Sequence, residues 1–260
     1  VDSTDAWSLD ITDEARLEGL PEGARAGARQ AAERAGVPGW RFTLHGPSYL
    51  AVMTHADDRD LREQVYRAYN TRGVRGAWDN RERLARVLEL RAAKAKLLGY
   101  RDVSDLHLEP RMVKTGAAAE RFVQELRART EPAFRDEHRA LQAYQAERDG
   151  VHCELQAWDL GWYAEKQRQA LYDFDEEALR PYLAAGHVLT GMFEIVHRLY
   201  GVRVSPLDDR PTWHPDVRVY ALDEADGARI GVFYADLFPR AGKRGGAWMR
   251  PLLEGDRAAG

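Results

Sequence analysis

The residue pattern predicts a mainly α-helical chain with one small antiparallel β-hairpin near its C-terminus. Three observations carry this. Long stretches repeat apolar residues at helical spacing and end at Gly or Pro. A tight-turn dipeptide, Asp226-Gly227, separates two arms rich in β-branched and aromatic residues. Charged residues make up 31% and apolar residues 44% of the 260, the balance of a folded globular protein rather than a disordered one.

Taken in order, Thr12 to Glu18 opens with a Thr cap and first-turn acids, which predicts a short helix that Pro21 interrupts. Glu22 to Ala35 is rich in Ala and Arg, good helix formers, and Gly36 and Pro38 stop it. Arg41 to Ala56 is less regular. Pro47 argues against a central strand, so the expectation is an extended segment and a turn. A helix follows from about Asp57 to Thr71, with Leu61, Val65 and Ala68 as its apolar stripe. Asn80 is placed to cap Arg81 to Leu98, where Leu84, Val87, Leu88, Ala95 and Leu98 share a face and Gly99 ends the run. Ala117 through Ala146 reads as a long helix with a kink or restart at Pro132. Another begins at Ala157, and Asp175 is placed to cap a segment through Leu183. A clean stripe of Val188, Leu189, Met192, Phe193, Val196, Leu199 and Tyr200 ends at Gly201, and Val202 to Val204 is short and extended.

The hairpin arms are Val217 to Leu222 and Ile230 to Phe238. Val217, Val219 and Ala221 point one way and Arg218, Tyr220 and Leu222 the other. A basic, glycine-rich turn, Lys243-Arg244-Gly245-Gly246-Ala247-Trp248, follows. Its bare backbone N–H groups, two cations and an indole suit an anion or an extended peptide, and the second arm offers an edge for strand addition. The competing reading is that the turn only packs the hairpin. The chain divides into a helical region, 1–212, a hairpin with its basic turn, 213–249, and a tail, 250–260, with no independent domain boundary.

Several function classes are disfavoured. Net charge is −4 and no basic patch is concentrated, which argues against nucleic acid as a partner. No apolar run approaches the ~20 residues of a membrane span, and the N-terminal residues lack the basic and apolar regions of a secretory signal. The single cysteine, Cys153, forms no intrachain disulfide, and a cytoplasmic location is expected. The chain has no GxSxG elbow and no phosphate-cradling loop of the right spacing. A zinc peptidase site needs two histidines one helical turn apart with a Glu between them. None of the eight histidines is followed by Glu and no two lie four residues apart. His187 and His197 are separated by roughly 15 Å on a straight helix. No catalytic or metal-ligating residue is therefore expected. His214 is read as a hydrogen-bonding residue of its turn.

Three runs carry a resemblance: Trp213-His214-Pro215-Asp216-Val217-Arg218, Phe233-Tyr234-Ala235-Asp236-Leu237 and Lys243-Arg244-Gly245-Gly246-Ala247-Trp248-Met249. They resemble the thimet oligopeptidase family of zinc metallopeptidases, in its oligopeptidase A and dipeptidyl carboxypeptidase branch. Pro47-Ser48-Tyr49-Leu50, Tyr66-Arg67-Ala68-Tyr69 and the Trp158-Asp159 to Glu165-Lys166 run extend the likeness, which stops after Met249. The resemblance implies a nearly all-helical, bivalved fold with a channel for short peptides, and zinc as cofactor in the full-length family. It places the three runs near that channel, with the HExxH helix beyond them. The substrate-binding candidates are Tyr234, Asp236, Lys243, Arg244, Gly245, Gly246 and Trp248. The expectation is a truncated oligopeptidase, inactive alone and without zinc. The alternatives are half of a split peptidase that needs a partner chain with the zinc site, or a non-catalytic peptide-binding or scaffold protein.

Overall fold

A computed structural model describes residues 2–150, 153–173, 176–240, 242, 243 and 249. The chain is mainly helical with small antiparallel sheets. It divides into two compact units, the first spanning Val1–Tyr172 and the second Asp173–Arg244.

The first unit begins with a short helix, α1 (Asp2–Asp5), and a strand, β1 (Ser8–Ile11). The expected helix at Thr12 is a single 3₁₀ turn, Glu14–Leu17, capped by Asp13 rather than Thr12. Helix α2 (Glu22–Ala35) has the expected bounds, and Gly36 closes it in the left-handed conformation. Strand β2 (Trp40–Thr43) pairs antiparallel with β1, setting Leu9 opposite Phe42 and Ile11 opposite Trp40. Gly39 allows this approach: its φ is +83° and a Cβ there would lie 2.1 Å from the Ile11 carbonyl oxygen.

The expectation of an extended segment and turn after residue 44 is corrected. Helix α3 (Gly46–His55) occupies this stretch, with Pro47 in its first turn, where a missing N–H costs nothing. Helix α4 (Arg59–Asn70) follows, and the Asp58 carboxylate accepts from the Leu61 N–H at 3.0 Å. Phe42, Leu17, Leu44, Val52, Leu61 and Val65 interlock as a core at 2% exposure or less.

Helix α5 (Arg81–Leu97) forms where periodicity placed it, but Asn80 gives it no side-chain cap; Asp79 accepts from the Arg81 N–H instead, at 3.0 Å. Helix α6 (Val103–Leu108) went unread in the sequence. Helix α7 (Gly116–Asp149) spans 34 residues, roughly 51 Å, and continues through Pro132 without a restart. Helix α8 (Leu160–Tyr172) starts three residues later than expected. Leu141, Leu155, Trp162 and Tyr163 form a second small core between α7 and α8.

Asp159, just before α8, ties that helix to α4. Arg59 grips its carboxylate with two hydrogen bonds, at 3.0 and 2.8 Å. Arg62, only 2% exposed, adds a third at 3.2 Å and donates to the carbonyls of Ala56, Asp57 and Trp158. Burial pushes the Arg62 guanidinium below its ordinary value, and Asp159 opposes that push.

In the second unit a 3₁₀ segment, Glu176–Leu183, precedes helix α9 (Ala185–Tyr200), which Gly201 ends at φ +73°. The cap assigned to Asp175 lies outside the described residues. The two-stranded hairpin expected here has a third strand. β3 (Arg203–Pro206) pairs with β4 (Arg218–Asp223), and β4 with β5 (Arg229–Ala235), all antiparallel. Asp226-Gly227 makes the turn, with Gly227 at φ +92° and the Ala228 N–H bonded to the Asp226 carboxylate. Phe193 of α9 meets Tyr220 edge-on at 5.0 Å, and Tyr220 stacks on Phe233 at 5.2 Å. As the central strand, β4 buries Val219 and Ala221 as well as Tyr220, so its alternation does not separate an inner from an outer face.

Candidate peptide-binding site

Strand β5 lies at the margin of its sheet, with β4 on one side and no further strand paired to it among the described residues. Its N–H and C=O groups on the open side are available to an added strand. The strand's alternation sets Ile230, Val232 and Tyr234 on one face at 53%, 41% and 42% exposure. Trp213, from the loop before β4, stacks on Tyr234 with ring centroids 5.4 Å apart. The result is an aromatic surface beside an open strand edge.

Asp236, just past β5, holds that surface in place. Its carboxylate accepts from the Trp213 indole N–H at 3.1 Å and from both Arg240 terminal nitrogens, at 2.6 and 2.5 Å. Lys243 approaches the same carboxylate at 3.1 Å and donates to the Asp236 and Phe238 carbonyls at 2.8 Å each. These donors, Arg240 first, hold the Asp236 carboxyl far below the usual carboxylate range. Trp213, Arg240 and Lys243 thus converge on one anion.

Tyr234, Asp236 and Lys243, three of the expected contact residues, come together here. Tyr234 offers its ring outward, while Asp236 spends its charge on Lys243 and Arg240. Arg244, Gly245, Gly246 and Trp248 lie outside the described residues. Two contributors were missed as partners of Asp236. Arg240 was legible as a cation four residues away, whereas the Trp213 contact spans 23 residues and left no local signal. His214 accepts from the Asp216 N–H through Nδ1 at 3.2 Å, in the turn that leads into β4.

Zinc requires a donor set that the described residues do not supply. No group of three or more His, Cys, Asp or Glu side chains among them is placed to hold a metal ion. Cys153 is exposed and takes a hydrogen bond from Gln145. Among the described residues no helix is long and apolar enough to cross a membrane.

Comparison with known proteins identifies the family. The pattern that defines peptidase family M3 matches residues 52–258. Oligopeptidase A of Haemophilus influenzae is 43% identical over 96% of the chain, and that of Escherichia coli 41% identical over 96%. Dipeptidyl carboxypeptidase of Escherichia coli is 33% identical over 95%. The chain spans a little over a third of these relatives, 37%, 37% and 36% of their lengths respectively. On this similarity the chain belongs to peptidase family M3.

Proposed function

We propose that this chain is the peptide-holding part of a zinc metallo-oligopeptidase of the oligopeptidase A type, and that it does not cleave peptides by itself. The observation that carries the reading is the 43% identity to an oligopeptidase A across nearly the whole chain. The open β5 edge and the Trp213–Tyr234 stack support its peptide-binding half. An extended short peptide pairs its backbone with β5 and lays alternate side chains on the aromatic surface. The Asp236 knot keeps Trp213 against Tyr234 before the peptide arrives, so less ordering entropy is lost on binding. In the family, zinc activates the attacking water; no step of that chemistry is assigned to residues described here. A cytoplasmic location belongs to the same reading, supported by the single cysteine.

The test is a cleavage assay on the purified chain with a short internally quenched peptide, run with added zinc and with a chelator. The expected result is no turnover above the buffer rate in either. Hydrolysis that persists through repurification, stops with chelator and returns with zinc contradicts the proposal.

A further inference from the structure

The second unit also contains a cleft that does not involve the β5 edge. It encloses about 860 Å³ between the first turns of α9, strands β3 and β4, and the loop that joins them. That is the size of a small-molecule site. Its floor is apolar, with Leu189, Phe193 and Val204 among its lining residues.

Three groups in this lining are donors without a matching acceptor. Arg218 makes no ion pair or hydrogen bond through its guanidinium among the described residues, and it lines the cleft. Tyr220 is only 7% exposed and lines the cleft, yet its hydroxyl engages no partner among the described residues. Ala184 stands at the N-cap of α9 and offers no side-chain cap, so the N–H groups of the first turn, Gly186 and His187 included, find no acceptor from a capping side chain. The helix dipole makes that end electropositive. Arg210 adds a cation loosely paired with Asp209 at 3.8 Å. Asp208 is the one acidic side chain in the lining among the described residues, and it works against an anion.

We infer that this cleft binds a small carboxylic acid with an apolar body, its carboxylate against Arg218 and the Tyr220 hydroxyl and its body on the Leu189–Phe193–Val204 floor. The charge pattern selects an anion. The floor selects an apolar one over inorganic phosphate or citrate. Tyr220, nearly buried as a residue, brings to the cleft a hydroxyl with no acceptor among the described residues, and Arg218 adds an exposed guanidinium on the same face of β4.

The probe is 4-phenylbutyrate, which has no backbone amide and so does not pair with β5. Titration of the full chain is followed by calorimetry and by backbone amide shifts. Saturable one-to-one binding is expected, with shifts centred on residues 186–193 and 204–220. The neutral amide of the same acid binds at least about tenfold more weakly, and Arg218→Ala weakens the acid by a similar factor. Tyr220→Phe, which keeps the ring stacked, weakens it by about threefold or more, and Asp208→Asn tightens it. Equal affinity for the acid and its amide, or no change on Arg218→Ala in a chain whose amide spectrum is otherwise unchanged, overturns the inference. Shifts spread over α5 and α7 instead of the cleft overturn it as well.

Discussion

Helix α4 in the first unit and helix α9 in the second carry equally regular apolar stripes, yet they end up differently. Leu61 and Val65 of α4 are fully buried, whereas α9 has no buried residue. Leu189, Phe193 and Val196 of α9 are partly covered, while Val188, Met192, Ile195 and Leu199 remain 46–68% exposed. The same holds for α5, whose Leu84 and Leu88 are 58% and 64% exposed. Periodicity reports that a helix has an apolar face. What meets that face depends on the surrounding elements, and around α4 these are α2, α3 and the β1–β2 pair.

The comparison breaks most sharply where a charge is buried. Asp159→Ala leaves Arg62 without its carboxylate in an environment where it is 2% exposed, and an expected loss of about 3–5 kcal/mol follows. Phe42→Ala in the same unit costs about 3–5 kcal/mol through the cavity it leaves. Phe122→Ala on α7, where the ring is 63% exposed, costs no more than about 0.5 kcal/mol. Urea melts of the three variants check all of this. Similar losses for Phe42 and Phe122 would falsify the division between packed and open faces.

Smaller effects sharpen it. The Thr115 hydroxyl accepts from the Ala118 N–H at the start of α7, so Thr115→Ala costs about 1 kcal/mol. Asp58 tests the α4 side by pH. Burial raises its carboxyl pKa, but the Leu61 N–H and Arg16 outweigh burial and leave it lowered. A lowered carboxylate stabilises fully above the unfolded value of about 3.9 and loses that contribution as pH falls through the folded value. Acid melts of Asp58→Asn are therefore less stable than the parent near neutrality and converge with it as pH falls below the unfolded carboxylate value and through the lowered folded one. A gap that stays constant through that range removes the titration argument.

Much of the helical layout was legible because strong stop signals mark it. Gly36 and Gly201 end α2 and α9 in the left-handed conformation, and the Asp226-Gly227 turn is local chemistry. The misses share a cause. β1 and β2 are four residues each, too short for alternation to register, and they exist through pairing across 30 residues of chain. α3 was hidden because Pro47 reads as a breaker until its place in the first turn is known. At the candidate site the exposed aromatics were visible as residue types. The Asp236 knot was not, because Trp213 and Lys243 reach it from opposite sides in sequence.

The most direct measurement is a titration of the isotope-labelled chain with a short unstructured peptide in the presence of zinc. Backbone amides are followed by NMR, and the peptide's integrity by chromatography. The account predicts saturable shifts along Arg229–Ala235 and at Trp213, reduced by Trp213→Ala or Tyr234→Ala, with the peptide recovered intact. Cleaved peptide, or shifts that bypass β5 and remain unchanged in those variants, contradicts it.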